Sequence, residues 1–165
     1  MIQILKDSDT RPWFFLQTAH TTYGMWVMET GHLEHLYYGE RITVDSQDPS
    51  SCAPLVIQRA FAPGNTCTYD REHPQISMED VCLEVGTLGK GDIREPFLEV
   101  RFADGSVTSD FTFDSYEIIT LKEREQCLQD SGLPHSYSEV GTDSAECLQI
   151  VLQDVTNHLE LQLFY

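Results

Sequence analysis

The pattern that most constrains this chain is an alternation of apolar and polar residues with a period of two. Residues 159–163 read Leu-Glu-Leu-Gln-Leu, and related alternation occurs at residues 14–19, 96–102 and 107–113. Because successive side chains of a β-strand point to opposite faces, this pattern predicts strands with one apolar and one polar face. Only residues 121–128 have a helical pattern, and that segment is short and highly charged. The sequence therefore predicts an all-β fold, an antiparallel β-sandwich.

Turn residues divide the predicted strands into hairpins. Gly31 marks a turn between strands at residues 23–28 and 33–38, and residues 154–158 form a turn before the final strand. Asp104-Gly105 joins the two central strands and is a preferred pair for a type I′ turn. The residues expected on the buried faces around that turn are Phe97, Val100 or Phe102, and Phe111 or Phe113.

Length and charge restrict the classes of partner. The 165 residues suit one domain or part of one, and 41% hydrophobic residues can fill a core. Ten basic residues against 27 acidic ones give a net charge of −17. Such a surface repels phosphate groups, so we expect neither nucleic acid nor membrane as a partner.

The two ends and the cysteines give expectations about the protein's setting. The N-terminus lacks the basic leader and apolar run of a secretory signal, and the chain stops within the strand-like residues 163–165. We therefore expect a piece of a longer, unexported protein. Its five cysteines have no zinc or redox spacing, which favours free thiols in the cytoplasm.

Familiar catalytic and cofactor motifs are weak or missing. The glycine-rich residues 86–91 would need glycine at Glu84 and serine or threonine at Gly91 to form a phosphate-binding loop, so we interpret them as a bend. His32 and His35 fall on opposite faces of a strand, and we expect them, with Glu34, to be hairpin surface residues. The sequence predicts no metal and no cofactor.

Four aromatic residues leave two interpretations open. Trp13, Trp26, Tyr37 and Tyr38 could stack on sugars, or could fill the core or an interface. The second interpretation is favoured, because each such side chain buries about 150–250 Å².

Seven groups of residues, taken in order, resemble a known family. They are Phe-Leu-Gln-Thr at 15–18 with Thr-Tyr-Gly-Met at 22–25, Gly-His-Leu-Glu-His-Leu-Tyr-Tyr-Gly at 31–39, Gln-Arg-Ala-Phe-Ala-Pro at 58–63, Gly-Asp-Ile-Arg-Glu-Pro at 91–96, Asp-Gly-Ser at 104–106 with Ser-Asp-Phe at 109–111, Gly-Leu-Pro-His-Ser-Tyr at 132–137, and Leu-Gln-Ile-Val-Leu-Gln-Asp at 148–154. Together they resemble the N-terminal region of glycoside hydrolase family 36, the α-galactosidases or melibiases.

The resemblance implies more than composition does. Residues 1–165 would form about the first half of an N-terminal β-supersandwich of the galactose-mutarotase type, a domain that supports the catalytic (β/α)₈ barrel following it. That barrel carries the two catalytic aspartates of a retaining enzyme, so no catalytic residue is expected in this chain. The implied substrates are terminal α-linked galactosides of the melibiose or raffinose type. The implied partners are the remainder of the enzyme chain and further copies in a tetramer.

The resemblance also gives two candidate substrate-binding residues, Gln58 and Arg59. In this family, a loop of the N-terminal domain borders the sugar pocket of a neighbouring subunit. Many members have aspartate where this chain has Gln58, and glutamine both accepts and donates hydrogen bonds. Arg59 would brace the loop through its planar fork of donors. A purely structural loop is the alternative.

Two other functions remain open at this point. The first is a free-standing carbohydrate-binding or assembly module without catalysis. The second is a related substrate, such as an α-N-acetylgalactosaminide. The sequence after Tyr165 would distinguish the enzyme from the free-standing module, because only the enzyme requires a (β/α)₈ pattern with two catalytic aspartates.

Overall fold

The computed structural model describes residues 1–7, 10–45, 48–56, 67–127 and 146–165. Within these residues, seven strands form two antiparallel sheets, and the fold is mainly antiparallel β, as predicted. The first sheet has the strand order β1 (Ile2–Lys6), β2 (Pro12–Gln17), β3 (Thr21–Val27) and β4 (Leu33–Glu40), and the second has β5 (Thr112–Thr120), β6 (Glu146–Asp154) and β7 (Leu159–Phe164). One α-helix, α1 (Leu121–Cys127), and two 3₁₀ helices at Pro49–Leu55 and Met78–Asp80 complete the described elements.

The central strand β2 is apolar because both of its faces are covered. Phe14 lies in the core between the two sheets, where it packs with Met25 and with Leu148 of β6. Trp13 and Phe15 point to the opposite face, which the segment around the first 3₁₀ helix covers. A strand buried on both faces loses the alternation of a half-exposed strand, which explains its run of apolar residues.

The hairpins at the two ends of the sequence are confirmed. β3 and β4 pair through the turn at Gly31, whose φ of 82° lies in the left-handed region that favours glycine. β6 and β7 pair from Gln149 with Phe164 to Asp154 with Leu159. The one segment with a helical pattern, residues 121–128, contains the short helix α1. No helix in the described ranges has the length and apolar character needed to cross a membrane.

The central hairpin differs from the prediction. Residues 81–111, all of which the structure describes, contain turns and isolated bridges rather than strands. Phe97 and Leu98 donate their backbone N–H groups to the carbonyl of Gly86. Phe97 is 77% exposed, while Leu98 packs against the core, so the prediction of a buried Phe97 was wrong. Residues 97 and 100 differ by an odd number, so they cannot share one face of an extended segment.

The turn within this segment is also of another type. Phe102 accepts a hydrogen bond from the N–H of Gly105, and its own N–H donates to Ser106. Gly105 has a φ of 87°, but neither of the two preceding residues has a positive φ. A type I′ turn needs two such residues, so this is a three-residue loop with one left-handed glycine.

Two glycines, Gly89 and Gly105, test the left-handed backbone and the close packing of these loops. Gly89 and Gly105 both have positive φ, but a Cβ at Gly89 would lie 2.4 Å from Cγ2 of Thr108, whereas none would be within 4 Å at Gly105. We expect Gly105→Ala to lower the free energy of unfolding by about 1–2 kcal/mol, the cost of left-handed backbone. Gly89→Ala should lose roughly 1–3 kcal/mol more through overpacking. Urea unfolding of both variants measures this difference, and equal losses would contradict the close contact.

Candidate functional site

The predicted site residues Gln58 and Arg59 lie at residues 57–66, outside the described residues, as does the motif at 132–137. The structure describes the residues that flank 57–66 on both sides. On one side, the N–H of Val56 donates to Ala53 at the end of the 3₁₀ helix. On the other side, the N–H of Tyr69 donates to the carbonyl of Ile76 at 2.8 Å.

Asp110 is the centre of a polar network beside Tyr69. One of its carboxylate oxygens lies 2.9 Å from Nε2 of His32. The other accepts a hydrogen bond from the Tyr69 hydroxyl at 3.0 Å and lies 3.1 Å from Nζ of Lys90. The Lys90 ammonium also lies 5.3 Å from the centre of the Tyr69 ring. One carboxylate thus ties three separate segments together.

The electrostatics of Asp110 follow from these contacts. Burial raises the pKa of its carboxyl, but hydrogen bonds and charge from His32 and Lys90 outweigh burial and hold the pKa below its usual range. Burial and the adjacent Asp110 charge raise the pKa of Tyr69. Asp110 is therefore a charged anchor that Tyr69 meets as a neutral donor.

The network continues to the β6–β7 turn. Asp154 is buried, and it accepts hydrogen bonds from the backbone N–H of Asp110 at 3.1 Å and from Asn157. His32 is held from its other side, with Nδ1 2.9 Å from the hydroxyl oxygen of Thr30. Residues His32, Asp110 and Asp154 come from three of the family-like motifs, and the fold brings them together.

Two further carboxylates fix aromatic side chains. Glu34 is fully buried and accepts a hydrogen bond from the indole N–H of Trp26 at 2.8 Å. Glu84 accepts bonds from the hydroxyls of Tyr23 at 2.5 Å and Tyr165 at 2.7 Å. Burial, together with Glu84, raises the pKa of both tyrosines. The prediction that His32 and Glu34 are surface residues was wrong, because both side chains are buried and each has a polar partner.

Among the residues that the structure describes, no group of three or more His, Cys, Asp or Glu side chains could hold a metal ion. His32 is engaged with Asp110 and Thr30, and His35 packs against the ring of Tyr23 at 5.0 Å. The carboxylates described above all contact protein donors, so their arrangement positions loops and aromatic rings.

The four candidate aromatic residues occupy different environments. Trp13 is buried, and Tyr38 is 71% exposed. Trp26 is half-buried and lines a cleft of about 250 Å³. The residues that line this cleft are Arg11, Trp26, Met28, Glu29, Val56, Gln75 and Ile76.

Two antiparallel sheets with loops fixed by buried carboxylates define this chain as a β-sandwich domain. A model of the glycosyl hydrolase family 36 N-terminal domain matches residues 31–165. The bifunctional alpha-galactosidase/sucrose kinase AgaSK of Mediterraneibacter gnavus is 37% identical over 154 residues, which are 92% of this chain and 15% of that protein. Alpha-galactosidase AgaA of Geobacillus stearothermophilus is 31% identical over 92% of this chain and 19% of its own length.

Solved structures show the same similarity. The alpha-galactosidase from Lactobacillus brevis superposes with a TM-score of 0.75 at 31% identity, over 93% of this chain and 19% of that one. The galactosidase domain of AgaSK gives a TM-score of 0.74 at 30% identity, over 99% of this chain and 21% of that one. The chain belongs to glycosyl hydrolase family 36, within its N-terminal domain. It spans about one fifth or less of the length of these relatives.

Replacing the anchor Asp110 tests the network. Asp110→Asn should lower the free energy of unfolding by about 1–3 kcal/mol, because buried donors lose their charged acceptor. Asp114→Asn is a matched control, since Asp114 is exposed and accepts a bond from its neighbour Ser115. Urea unfolding at neutral pH compares the two variants, and equal stabilities would contradict the anchoring role.

The stability difference between the parent chain and Asp110→Asn should depend on pH. The pKa of Asp110 is lowered in the folded chain, so its stabilising effect is fully present above the pKa of about 3.9 of an unfolded aspartate. The effect is lost as the pH falls through the lower folded pKa. The stability gap between the parent chain and Asp110→Asn should therefore narrow in acid. A gap that widens below pH about 4 would contradict this sign.

Proposed function

We propose that this chain is the N-terminal, non-catalytic region of an α-galactosidase that removes terminal α-linked galactose from melibiose- or raffinose-type oligosaccharides. The observation that supports this most directly is the family match over residues 31–165. The relatives named above are alpha-galactosidases, and the chain aligns over 92% of its length with each.

In this proposal, catalysis belongs to a barrel elsewhere in the longer protein. Retaining glycosidases use two carboxyl groups about 5–5.5 Å apart, one as nucleophile and one as acid/base. In (β/α)₈ enzymes these groups lie at the C-terminal ends of barrel strands. The β-sandwich supports that barrel and the assembly of a cytoplasmic tetramer.

We further propose that the loop with Gln58 and Arg59 reaches the sugar pocket of a neighbouring subunit. Gln58 then contacts the sugar, and Arg59 braces the loop. The flanking geometry supports this role, because Tyr69 is held by both Asp110 and Ile76 on one side of the loop. A firm base lowers the entropy lost when a loop binds a partner.

Activity measurements test the main proposal. The protein at its natural length should hydrolyse an aryl α-galactoside with retention at the anomeric carbon, followed by NMR of the first product anomer. Residues 1–165 alone should show no turnover above a matched blank. Turnover by residues 1–165 that survives repurification would contradict the division of roles, and an inactive natural-length protein would favour a free-standing module.

The loop residue Gln58 is tested in the natural-length protein. Gln58→Ala removes one sugar hydrogen bond, worth about 0.5–1.5 kcal/mol, so kcat/KM should fall about two- to tenfold. Gln162→Ala is the control, because Gln162 is exposed on β7. Light scattering should show an unchanged assembly for Gln58→Ala, whereas Arg59→Ala should also weaken assembly. Unchanged kinetics for Gln58→Ala would mean that the loop is structural only.

A further inference from the structure

We propose that the cleft beside Trp26 is a saccharide-binding site of this domain, separate from the catalytic barrel, and that it takes a neutral α-galactoside. The choice of galactoside rests on the proposed function, whereas the assignment of a saccharide rests on the cleft itself.

The cleft is amphiphilic in the way that a sugar ring is. Trp26, Met28, Val56 and Ile76 give it an apolar lining, and polar side chains complete it. A hexose has C–H groups on one face and hydroxyls around its rim, so it meets both kinds of surface. The volume of about 250 Å³ is below the roughly 300 Å³ at which pockets for drug-sized ligands begin, so it suits one sugar ring of a longer galactoside.

The aromatic wall of the cleft is already fixed. The Trp26 indole N–H donates to the buried Glu34 at 2.8 Å. The Trp26 ring also packs against Trp13, with the ring centres 4.9 Å apart. A ligand that meets Trp26 therefore does not have to order it, which reduces the entropy lost on binding.

The polar side chains that line the cleft are also held by hydrogen bonds within the protein. Asp7 receives hydrogen bonds from the Arg11 guanidinium at 3.0 and 2.9 Å. Gln75 donates from its amide nitrogen to Glu29 at 2.6 Å. A carboxylate accepts up to about four hydrogen bonds and an amide oxygen two, so Glu29 and Gln75 retain capacity for sugar hydroxyls after this contact.

The charge of the chain favours a neutral ligand. With a net charge of −17, the surface repels anions, and Glu29 adds a carboxylate to the cleft itself. A purely apolar ligand would leave the remaining hydrogen-bonding capacity of Glu29 and Gln75 unused. A neutral polyhydroxylated molecule satisfies both conditions.

The test uses the full 165-residue chain and melibiose, which this chain is not expected to hydrolyse. The chain has two tryptophans, so an NMR spectrum contains two indole N–H signals, and Trp26→Phe assigns them. Melibiose should shift the Trp26 signal saturably by about 100 mM, a weak affinity suited to a small cleft. No saturable shift at Trp26 would overturn the proposal.

Variants at exposed positions separate the cleft from the rest of the surface. Glu29→Ala and Gln75→Ala should each weaken melibiose binding about two- to tenfold, since each removes one hydrogen-bonding group. Gln162→Ala on β7 should leave binding unchanged. Equal affinities for all three variants would overturn the saccharide site, and equal affinity for maltose, which contains no galactose, would overturn the choice of a galactoside.

The outcome is distinguishable from that of the proposed function. Hydrolysis is measured on the natural-length protein, whereas binding is measured on residues 1–165 alone. An inactive natural-length protein with a saturable melibiose shift at Trp26 would reject only the hydrolase proposal. An active protein without that shift would reject only the cleft.

Discussion

The burial of β2 on both faces is the constraint on which the rest of this structure depends. Phe14 requires the second sheet as a partner, and Trp13 and Phe15 require the segment around Pro49–Leu55. Fully burying a side chain of this size contributes about 1.5–3 kcal/mol. Three such residues in succession demand two covering layers, so the position of each layer follows from this one strand.

The motifs that resemble family 36 hold loops onto this core. His32, Asp110 and Asp154 come from motifs far apart in sequence and form one connected network. In the Gly-Asp-Ile-Arg-Glu-Pro motif, Arg94 contacts Asp92 at 2.8 Å and donates to the carbonyl of Met78 at 2.9 Å. Such contacts fix loop shape rather than supply reacting groups.

The sequence predicts local pairing well and long-range partners poorly. The β3–β4 and β6–β7 hairpins follow from alternation and turn residues, because both strands of each pair are adjacent in sequence. The burial of Glu34 could not be predicted in this way. Its partner Trp26 lies directly opposite on the neighbouring strand, and only that register places the carboxylate beside the indole. Residues 97–101 alternate correctly, but alternation cannot show that a neighbouring strand is absent there or which face is buried.

The residues of the cleft beside Trp26 are likewise brought together by long-range contacts that the sequence does not predict. Trp26 was one of four aromatic candidates, and only its position beside Arg11, Glu29 and Gln75 distinguishes it. Arg11 precedes β2, Glu29 follows β3, and Gln75 lies in a loop, so no spacing in the sequence relates them. Gln58 and Arg59 came from resemblance alone, and they stay predictions.

The acidic composition is consistent with the neutral partners of Glu34 and Glu84. With ten basic residues against 27 acidic ones, few carboxylates can pair with a cation. Glu84 is bound by two tyrosine hydroxyls, and Glu34 by an indole N–H. Hydrogen bonds from neutral donors at such partly or fully buried positions are little affected by salt, whereas repulsion between exposed charges is screened over about 10 Å at 0.1 M ionic strength. Added salt therefore relieves the surface repulsion of this chain without weakening the contacts that fix Trp26 and the tyrosines.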